Sequence, residues 1–341
     1  MSANDINKRP RILMLSRDPK IFESGSEARG RMLEYARNFD ELHIIIFSKD
    51  LSKVIARSAA TKQSYNNLFL YPARSLFDMY RIGKNLKCDF ITAQDPFETG
   101  LIGYFLKKKL NLPLELQIHT DFLSPWFWRE SLKNKIRVLL AKLLLPRAEK
   151  IRVVSERIKN SLSSLRWRVG ARGGLIEVRP VAIDLEKIKN APIKTDLHKK
   201  YPGKFIILMA SRLTREKNIG LSLEVLREVL NSKLHTLNPL LLIVGDGPEL
   251  KNLKFKIGNL KLENNVILEP YTEDLFSYYK TADLFFLTSN YEGYGRTVIE
   301  AQAAGCPVLM TDVGAAIGEI VPVGDKNALI AKLTEIIGKK S

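Results

Sequence analysis

Glu292 and Glu300 stand eight positions apart and bracket Gly293, Tyr294, Gly295, Arg296 and Thr297, after an apolar run at 284–288 and before a helical pattern. Glycines there let backbone approach a ligand closely. The start of a helix offers unpaired N–H groups and the positive end of its dipole, both suited to phosphate. Glu292 would face the same ligand from the loop, and Glu300 could accept hydrogen bonds from hydroxyls. A diphosphate cradle flanked by hydroxyl acceptors is what a nucleotide sugar requires. A plain strand–turn–helix with a solvated Glu292 and a salt-bridged Glu300 fits the same spacing.

Arg212 and Lys217 lie in the stretch SRLTREKN, between the apolar run 205–210 and another helical pattern. Arginine grips phosphate oxygens as a planar fork and lysine acts as a point charge, so the two could neutralise charge building on a departing diphosphate. Without an anion, cations at a helix start oppose the dipole. No D-x-D pair, H-x-x-x-H or Cys/His cluster is present. No metal and no cofactor is therefore expected, a nucleotide sugar being a co-substrate.

Among the four histidines, His119 is the one at the end of an apolar run, 114–120. It could donate a hydrogen bond to a sugar or stabilise charge at a reacting carbon, or be a satisfied structural residue. Gly25 and Ser26, between the first apolar run and a helical pattern, could form a second anion-binding turn. Asp95 and Asp121 follow two further runs and are candidates for the acceptor side, although a proline-started helix with an acidic first turn also accounts for Asp95. The sequence Gly245-Asp246-Gly247-Pro248 begins like a dinucleotide fingerprint, but Leu250 stands where a third glycine belongs, which excludes a nicotinamide site. The absence of a Walker A sequence excludes a P-loop ATPase.

These residues recur at the ends of short apolar runs that alternate with helical patterns. The first series comprises 11–16, 41–48, 90–93, 114–120, 151–155 and 175–179, with helices near 27–38 and 131–145. A polar, lysine-rich stretch with Pro192 and Pro202 follows, and the alternation restarts at 205–210, 240–244, 266–268, 284–288 and 308–311, with a helix near 220–230. Apolar strands flanked by helices imply parallel sheets covered on both faces. The predicted fold is α/β: two tandem Rossmann-like, doubly wound domains facing across a cleft. An acceptor-side domain would span 1–183, a linker 184–204 and a donor domain 205–341. Ligands of such sheets bind beyond the carboxyl ends of the strands, where the candidate residues fall.

A chain of 341 residues exceeds the usual single core, consistent with two domains. Cys88 and Cys306, in no C-x-x-C pattern, read as free thiols of a reducing compartment. The opening MSANDINKRP lacks a signal peptide's apolar stretch and no run of 18 apolar residues occurs, so a cytoplasmic location is expected. Residues 1–185 hold 33 Lys+Arg against 19 Asp+Glu, whereas 186–341 hold 21 against 18, so the excess of the +17 net charge lies in the first part. Nucleic acid, an anionic membrane, a phosphorylated substrate or merely solvated surfaces would each suit it. Without a helix-turn-helix, zinc or RNA-binding signature, no nucleic acid is expected. The segment 126–172 is basic and carries Trp126, Phe127, Trp128, Leu139, Leu140 and Trp167, as a surface resting on an anionic membrane would, or a helix pair with one buried face and solvated cations.

Taken together, these residues resemble glycosyltransferase family 4, whose members have the GT-B fold. The resemblance rests on Glu292-Gly293-Tyr294-Gly295 with Glu300, on Arg212 with Lys217, on Val244-Gly245-Asp246-Gly247-Pro248 and on Ala304-Gly305-Cys306-Pro307-Val308. It implies retaining, metal-independent transfer of a hexosyl-type group from a nucleoside-diphosphate sugar to a glycan or lipid-linked acceptor, in envelope polysaccharide or glycolipid synthesis. The departing phosphate would help deprotonate the acceptor on the same face of the sugar. Arg212 and Lys217 would hold the diphosphate, Glu292 the donor sugar, Glu300 the ribose and His119 the sugar near its reacting carbon. Gly245 and the loop around Pro270 and Tyr271 would lie on the donor side, the latter near the base. Three features depart from the family pattern: Gly314 and Val321 are nearly adjacent, one helix-like segment leads to Ser341 where a helix usually crosses back to the first domain, and Ser24-Gly25-Ser26 replaces a double glycine. A catalytically silent nucleotide-sugar-binding protein and a basic nucleic-acid-binding protein are the competing readings.

Overall fold

The computed structural model describes residues 9–48, 63–164, 175–232 and 238–339. The chain forms two compact units, Met1–His119 with Ser131–Arg179 and Thr120–Glu130 with Pro180–Ser341.

The first unit holds strands β1 (Arg11–Ser16), β2 (Glu41–Phe47), β3 (Gln63–Tyr65), β4 (Leu68–Ala73), β5 (Phe90–Ala93), β6 (Leu114–Ile118), β7 (Lys150–Val153) and β8 (Leu175–Val178). Their order is β3-β4-β2-β1-β5-β6-β7-β8. Pairing is parallel except between β3 and β4, a hairpin turned through Asn66 with φ of 53°. Asparagine tolerates that left-handed backbone. β1 and β2 are buried over almost their whole length, which is why they read as unbroken apolar runs. Helices α1 (Glu27–Ala36), α2 (Leu76–Gly83), α3 (Glu98–Leu110), α4 (Pro125–Glu130), α5 (Leu132–Leu144) and α6 (Glu156–Ser163) follow in chain order, α4 belonging to the second unit. α3 lies close on the sheet because a Cβ at Gly103 would come 2.9 Å from Leu114 Cδ1.

The second unit holds β9 (Lys204–Ala210), β10 (Asn238–Val244), β11 (Val266–Glu269), β12 (Leu284–Leu287), β13 (Val308–Thr311) and β14 (Glu319–Val321), all parallel, in the order β11-β10-β9-β12-β13-β14. Helices α7 (Leu185–Asn190), α8 (Leu197–Lys200), α9 (Ile219–Ser232), α10 (Leu250–Asn259), α11 (Leu275–Thr281), α12 (Arg296–Ala303) and α13 (Lys326–Gly338) accompany them. One apolar cluster joins Ile207, Leu226, Phe286 and Leu333, and another joins Leu208, Tyr279, Phe285 and Val298. Successive residues of β9 and β12 thus feed opposite faces of the sheet. β14 forms despite the short stretch between Gly314 and Val321, with Met310 opposite Ile320.

The boundary differs from the sequence expectation. Residues 184–204, expected as a linker, are folded onto the second unit: Ile188 and Leu197 are buried, and Ser277 Oγ accepts from the Lys194 amide at 2.9 Å. Lys280 Nζ donates to Lys189 O at 2.7 Å. The stretch is lysine-rich because one side stays in solvent, and its few apolar residues are the buried ones. Thr120–Glu130 also counts with the second unit rather than the first, because buried Phe127 packs edge-on against Tyr291 with ring centroids 5.4 Å apart. Trp167 and Arg172 lie outside the described residues. Among the described residues, no helix is long and apolar enough to cross a membrane.

Candidate active site

In the second sheet the strand order reverses between the neighbours β9 and β12. Chain leaving two such strands runs to opposite sides and opens a crevice at their carboxyl ends. After β9, Arg215–Lys217 form a 3-10 turn closed by Asn218 at φ 46°. Residues 288–295 follow β12. The two loops are sewn together: Asn290 N donates to Glu216 O at 2.8 Å, Thr288 Oγ1 to Asn218 O at 3.1 Å, and Asn218 Nδ2 to Asn290 Oδ1 at 3.0 Å.

That stitching brings Lys217 Nζ to 2.5 Å from Glu292 Oε1, with only 12% and 11% of the two side chains exposed. Ser289 Oγ donates to the same oxygen at 2.8 Å, and Thr311 Oγ1 holds Ser289 O at 2.7 Å. Glu292 is therefore a fixed carboxylate, not the solvated one of the simpler strand–turn–helix reading. Arg212 is the opposite case. Its side chain is 79% exposed and reaches Glu216 Oε1 only at 3.4 Å.

Glu300 is buried on α12, where Arg296 Nε donates to Oε1 at 2.7 Å and the buried Tyr279 hydroxyl to Oε2 at 3.3 Å. The salt-bridged reading of Glu300 thus describes the structure, and Arg296, expected on the donor, is its partner. Burial first, then the Glu300 charge, pushes the Tyr279 phenol well above its ordinary pKa. Gly295 at φ 82° caps α12, and Thr297 lies in its first turn. Gly293 and Tyr294 belong to the loop before it, and Ala315 N donates to Tyr294 O at 2.9 Å. A Cβ at Gly314 would come 2.8 Å from Tyr294 O and 3.0 Å from Glu292 Cβ. Gly314 is thus what lets the chain after β13 underlie the loop carrying Glu292. Beside Glu292, the Tyr291 hydroxyl donates to Glu130 Oε2, and burial and the Glu130 carboxylate raise the phenol's pKa.

Gly245 and Gly247 act on the Arg212 loop. At Gly245, with φ of 144°, a Cβ would stand 2.0 Å from Ser211 O, and at Gly247 2.3 Å from Leu213 O. Leu213 N in turn donates to Asp246 O at 2.9 Å. Tyr271, 68% exposed, follows β11 in the next loop.

Within the first unit, Gly25 and Ser26 follow β1, Asp95 follows β5 and His119 follows β6, again at carboxyl ends where the order reverses between β1 and β5. Ser26 caps α1, its Oγ accepting from Arg29 N at 3.1 Å and donating to Lys20 O at 2.6 Å. Asp95 Oδ1 accepts from the Phe97 and Thr99 amides at 2.8 and 3.2 Å, so it organises the start of α3. Burial raises its pKa. His119 Nε2 lies 3.1 Å from Gln117 Oε1. His119 is exposed at the end of β6, and desolvation by the protein around the ring, with the Arg152 charge second, lowers its pKa to about 4. Asp121 belongs to the second unit, its carbonyl accepting from Ser124 N at 3.2 Å.

Sequence reasoning missed Glu216, Asn218, Ser289, Asn290 and Thr311, and saw Gly314 only as a spacing marker. The one legible signal was the polar triplet Thr288-Ser289-Asn290 ending an apolar run.

Residues 31–187 match the model described as Glycosyltransferase Family 4, and residues 193–336 match the one described as Glycosyl transferases group 1. An alpha-monoglucosyldiacylglycerol synthase of Streptococcus pneumoniae is 29% identical over 241 residues, 67% of this chain and 53% of that protein. A UDP-Gal:alpha-D-GlcNAc-diphosphoundecaprenol alpha-1,3-galactosyltransferase of Escherichia coli is 27% identical over 246 residues, 70% of this chain and 62% of that one. The match thus spans between about half and two thirds of these relatives' length. Among solved structures, Anabaena HepE in complex with UDP-glucose superposes with a TM-score of 0.72 at 19% identity, covering 97% of this chain and 90% of that one. Sucrose-phosphate synthase of Thermosynechococcus elongatus gives 0.74 at 18% identity, covering 96% and 89%. With its two parallel-sheet units and these two family matches, the chain has the GT-B fold and belongs to the family 4-type glycosyltransferases.

Proposed function

We propose that this protein transfers a hexosyl group, with retention and without a metal, from a UDP-sugar to a glycan or lipid-linked acceptor in polysaccharide or glycolipid synthesis. The observation that carries the reading is the switch-point arrangement of a fixed Lys217–Glu292 pair beside the exposed Arg212. A lysine ammonium has three donors, so Lys217 can hold Glu292 and still meet a phosphate oxygen. Arg212 supplies a planar fork to the same diphosphate. As the bond between the sugar and the diphosphate breaks, negative charge grows on the leaving phosphate where these two cations stand. A leaving phosphate oxygen takes the acceptor hydroxyl's proton, and the acceptor oxygen bonds to the sugar carbon on the face just vacated. Glu292, held by Lys217 and Ser289, keeps lone pairs for sugar hydroxyls, and Glu300, placed by Arg296 and Tyr279, is the carboxylate for the ribose. His119, neutral at pH 7, serves as a hydrogen-bond partner rather than an acid.

The UDP-sugar donor is supported by the UDP-glucose held by HepE and by the UDP-Gal-dependent relative, and the lipid-linked acceptor by the names of both relatives. Thermal melting with UDP, GDP, ADP and their sugars tests the reading, because a ligand of the folded state raises the melting point. A rise with UDP that Arg212→Ala abolishes is expected. No rise with any of these nucleotides would overturn it.

A further inference from the structure

α5 carries two apolar stripes where a helix at the surface of a water-soluble domain normally carries one. Its inner stripe, Val138, Ala141 and Leu144, is buried. Its outer stripe is Leu132, Ile136, Leu139 and Leu143, respectively 74%, 62%, 58% and 51% exposed. Spacings of four, three and four residues place those side chains on one face, over about 16 Å of helix at 1.5 Å per residue. Lys133, Lys135 and Lys142 flank them, and residues 131–148 contain no Asp or Glu. The neighbouring α3 is tied on at its start by Arg137 Nη2 to Glu98 Oε1 at 2.8 Å and at its far end by Lys107 Nζ to Arg147 O at 2.6 Å, and near that far end it carries Phe105, 48% exposed, and the exposed Lys108 and Lys109.

We propose that this face of α5, with the adjoining end of α3, docks on an anionic lipid surface. Aliphatic side chains would enter the boundary between headgroups and acyl chains, while the lysine stems lie along it and carry their ammonium groups to lipid phosphates. Charge favours this occupant over a second copy of the chain. Self-association through the stripe would press one cationic flank against another, whereas an anionic headgroup layer neutralises it. The inference goes beyond the donor-site reading and stands whether or not that reading holds.

The test is co-sedimentation of the full chain with vesicles of phosphatidylcholine alone and of phosphatidylcholine mixed with phosphatidylglycerol. Wild type should partition at least about tenfold more strongly into the anionic vesicles. Leu139→Ser with Leu143→Ser, and separately Lys135→Ser with Lys142→Ser, should each weaken that partitioning about tenfold. All these residues lie on the helix's outer side or flank, so both variants should stay folded with melting lowered only slightly by serine's weaker helix propensity, and their response to UDP separates this result from any failure at the donor site. The proposal is overturned if wild type shows no preference for anionic vesicles, or if the leucine variant binds them like wild type. It is equally overturned if the leucine variant abolishes a dimer while vesicle binding persists.

Discussion

Lys217 Nζ and Glu292 Oε1, 75 positions apart in the chain, meet at 2.5 Å with little of either side chain exposed. The pair exists because β9 and β12 are neighbours at the place where the strand order reverses, and because Asn218, Thr288 and Asn290 sew their loops together. It fixes a carboxylate and a cation side by side at the carboxyl ends of those two strands.

Glu292→Gln should leave Lys217 without its carboxylate in a poorly solvated place. Breaking a buried pair costs about 3–5 kcal/mol, and the residual exposure here points to the lower end. Melting should drop accordingly, and saturating UDP should restore more of it in the variant than it adds to wild type, a phosphate taking the carboxylate's place beside Lys217. An unchanged melting point would mean the pair is solvated and energetically idle.

Tyr279→Phe removes one donor from the buried Glu300 and leaves Arg296 in place. A hydrogen bond to a charged group is worth about 1.5–3 kcal/mol, and the 3.3 Å length of this one argues for the weaker end. Urea unfolding should show that loss. Glu300→Ala should cost more, since it leaves the fully buried Tyr279 hydroxyl without this acceptor and also removes the ion pair with Arg296.

Two glycines should respond differently to the same substitution. Gly245→Ala would push a Cβ to 2.0 Å from Ser211 O, backbone that cannot swing away, so the Arg212 loop must shift. UDP-dependent stabilisation should vanish with it. Gly305, at φ 85°, faces open space, so Gly305→Ala should cost only about 1 kcal/mol of backbone strain and leave the UDP response intact.

His119 should make stability depend on pH in one window. Its pKa falls from 6.5 to about 4 on folding, so between those values the unfolded chain binds a proton that the folded chain refuses. Stability then rises with pH across the window. As pH is lowered from 6.5 to 4, wild type should lose stability relative to His119→Gln, with no further divergence below pH 4. Parallel curves would show that the ring titrates alike in both states.

Much of this was legible in the sequence. Buried parallel strands demand unbroken apolar runs, so β1, β2, β9, β10 and β13 announced themselves, and the glycines around 292–295 and 245–247 marked turns that only glycine fills easily. Side-chain type alone nominated Arg212, Lys217 and Glu292 for phosphate and sugar chemistry. Composition also located the basic excess in the first part of the chain. What it could not supply was partnership across long separations. Whether Glu300 is free or bound depends on Tyr279 and Arg296, and whether Glu292 is solvated depends on Ser289 and on a lysine brought in from another strand. The stretch 184–204 and helix α4 read as linker and first-domain surface because a few buried side chains, Ile188, Leu197 and Phe127, decide their allegiance. Composition likewise marked 126–172 as basic and rich in aromatic and leucine residues, but only the packed core decides which stripe of α5 faces inward and which is left to solvent. Local pattern is set by neighbours in the chain, whereas burial and ion pairing are set by neighbours in space, and those exist only once the sheets have assembled.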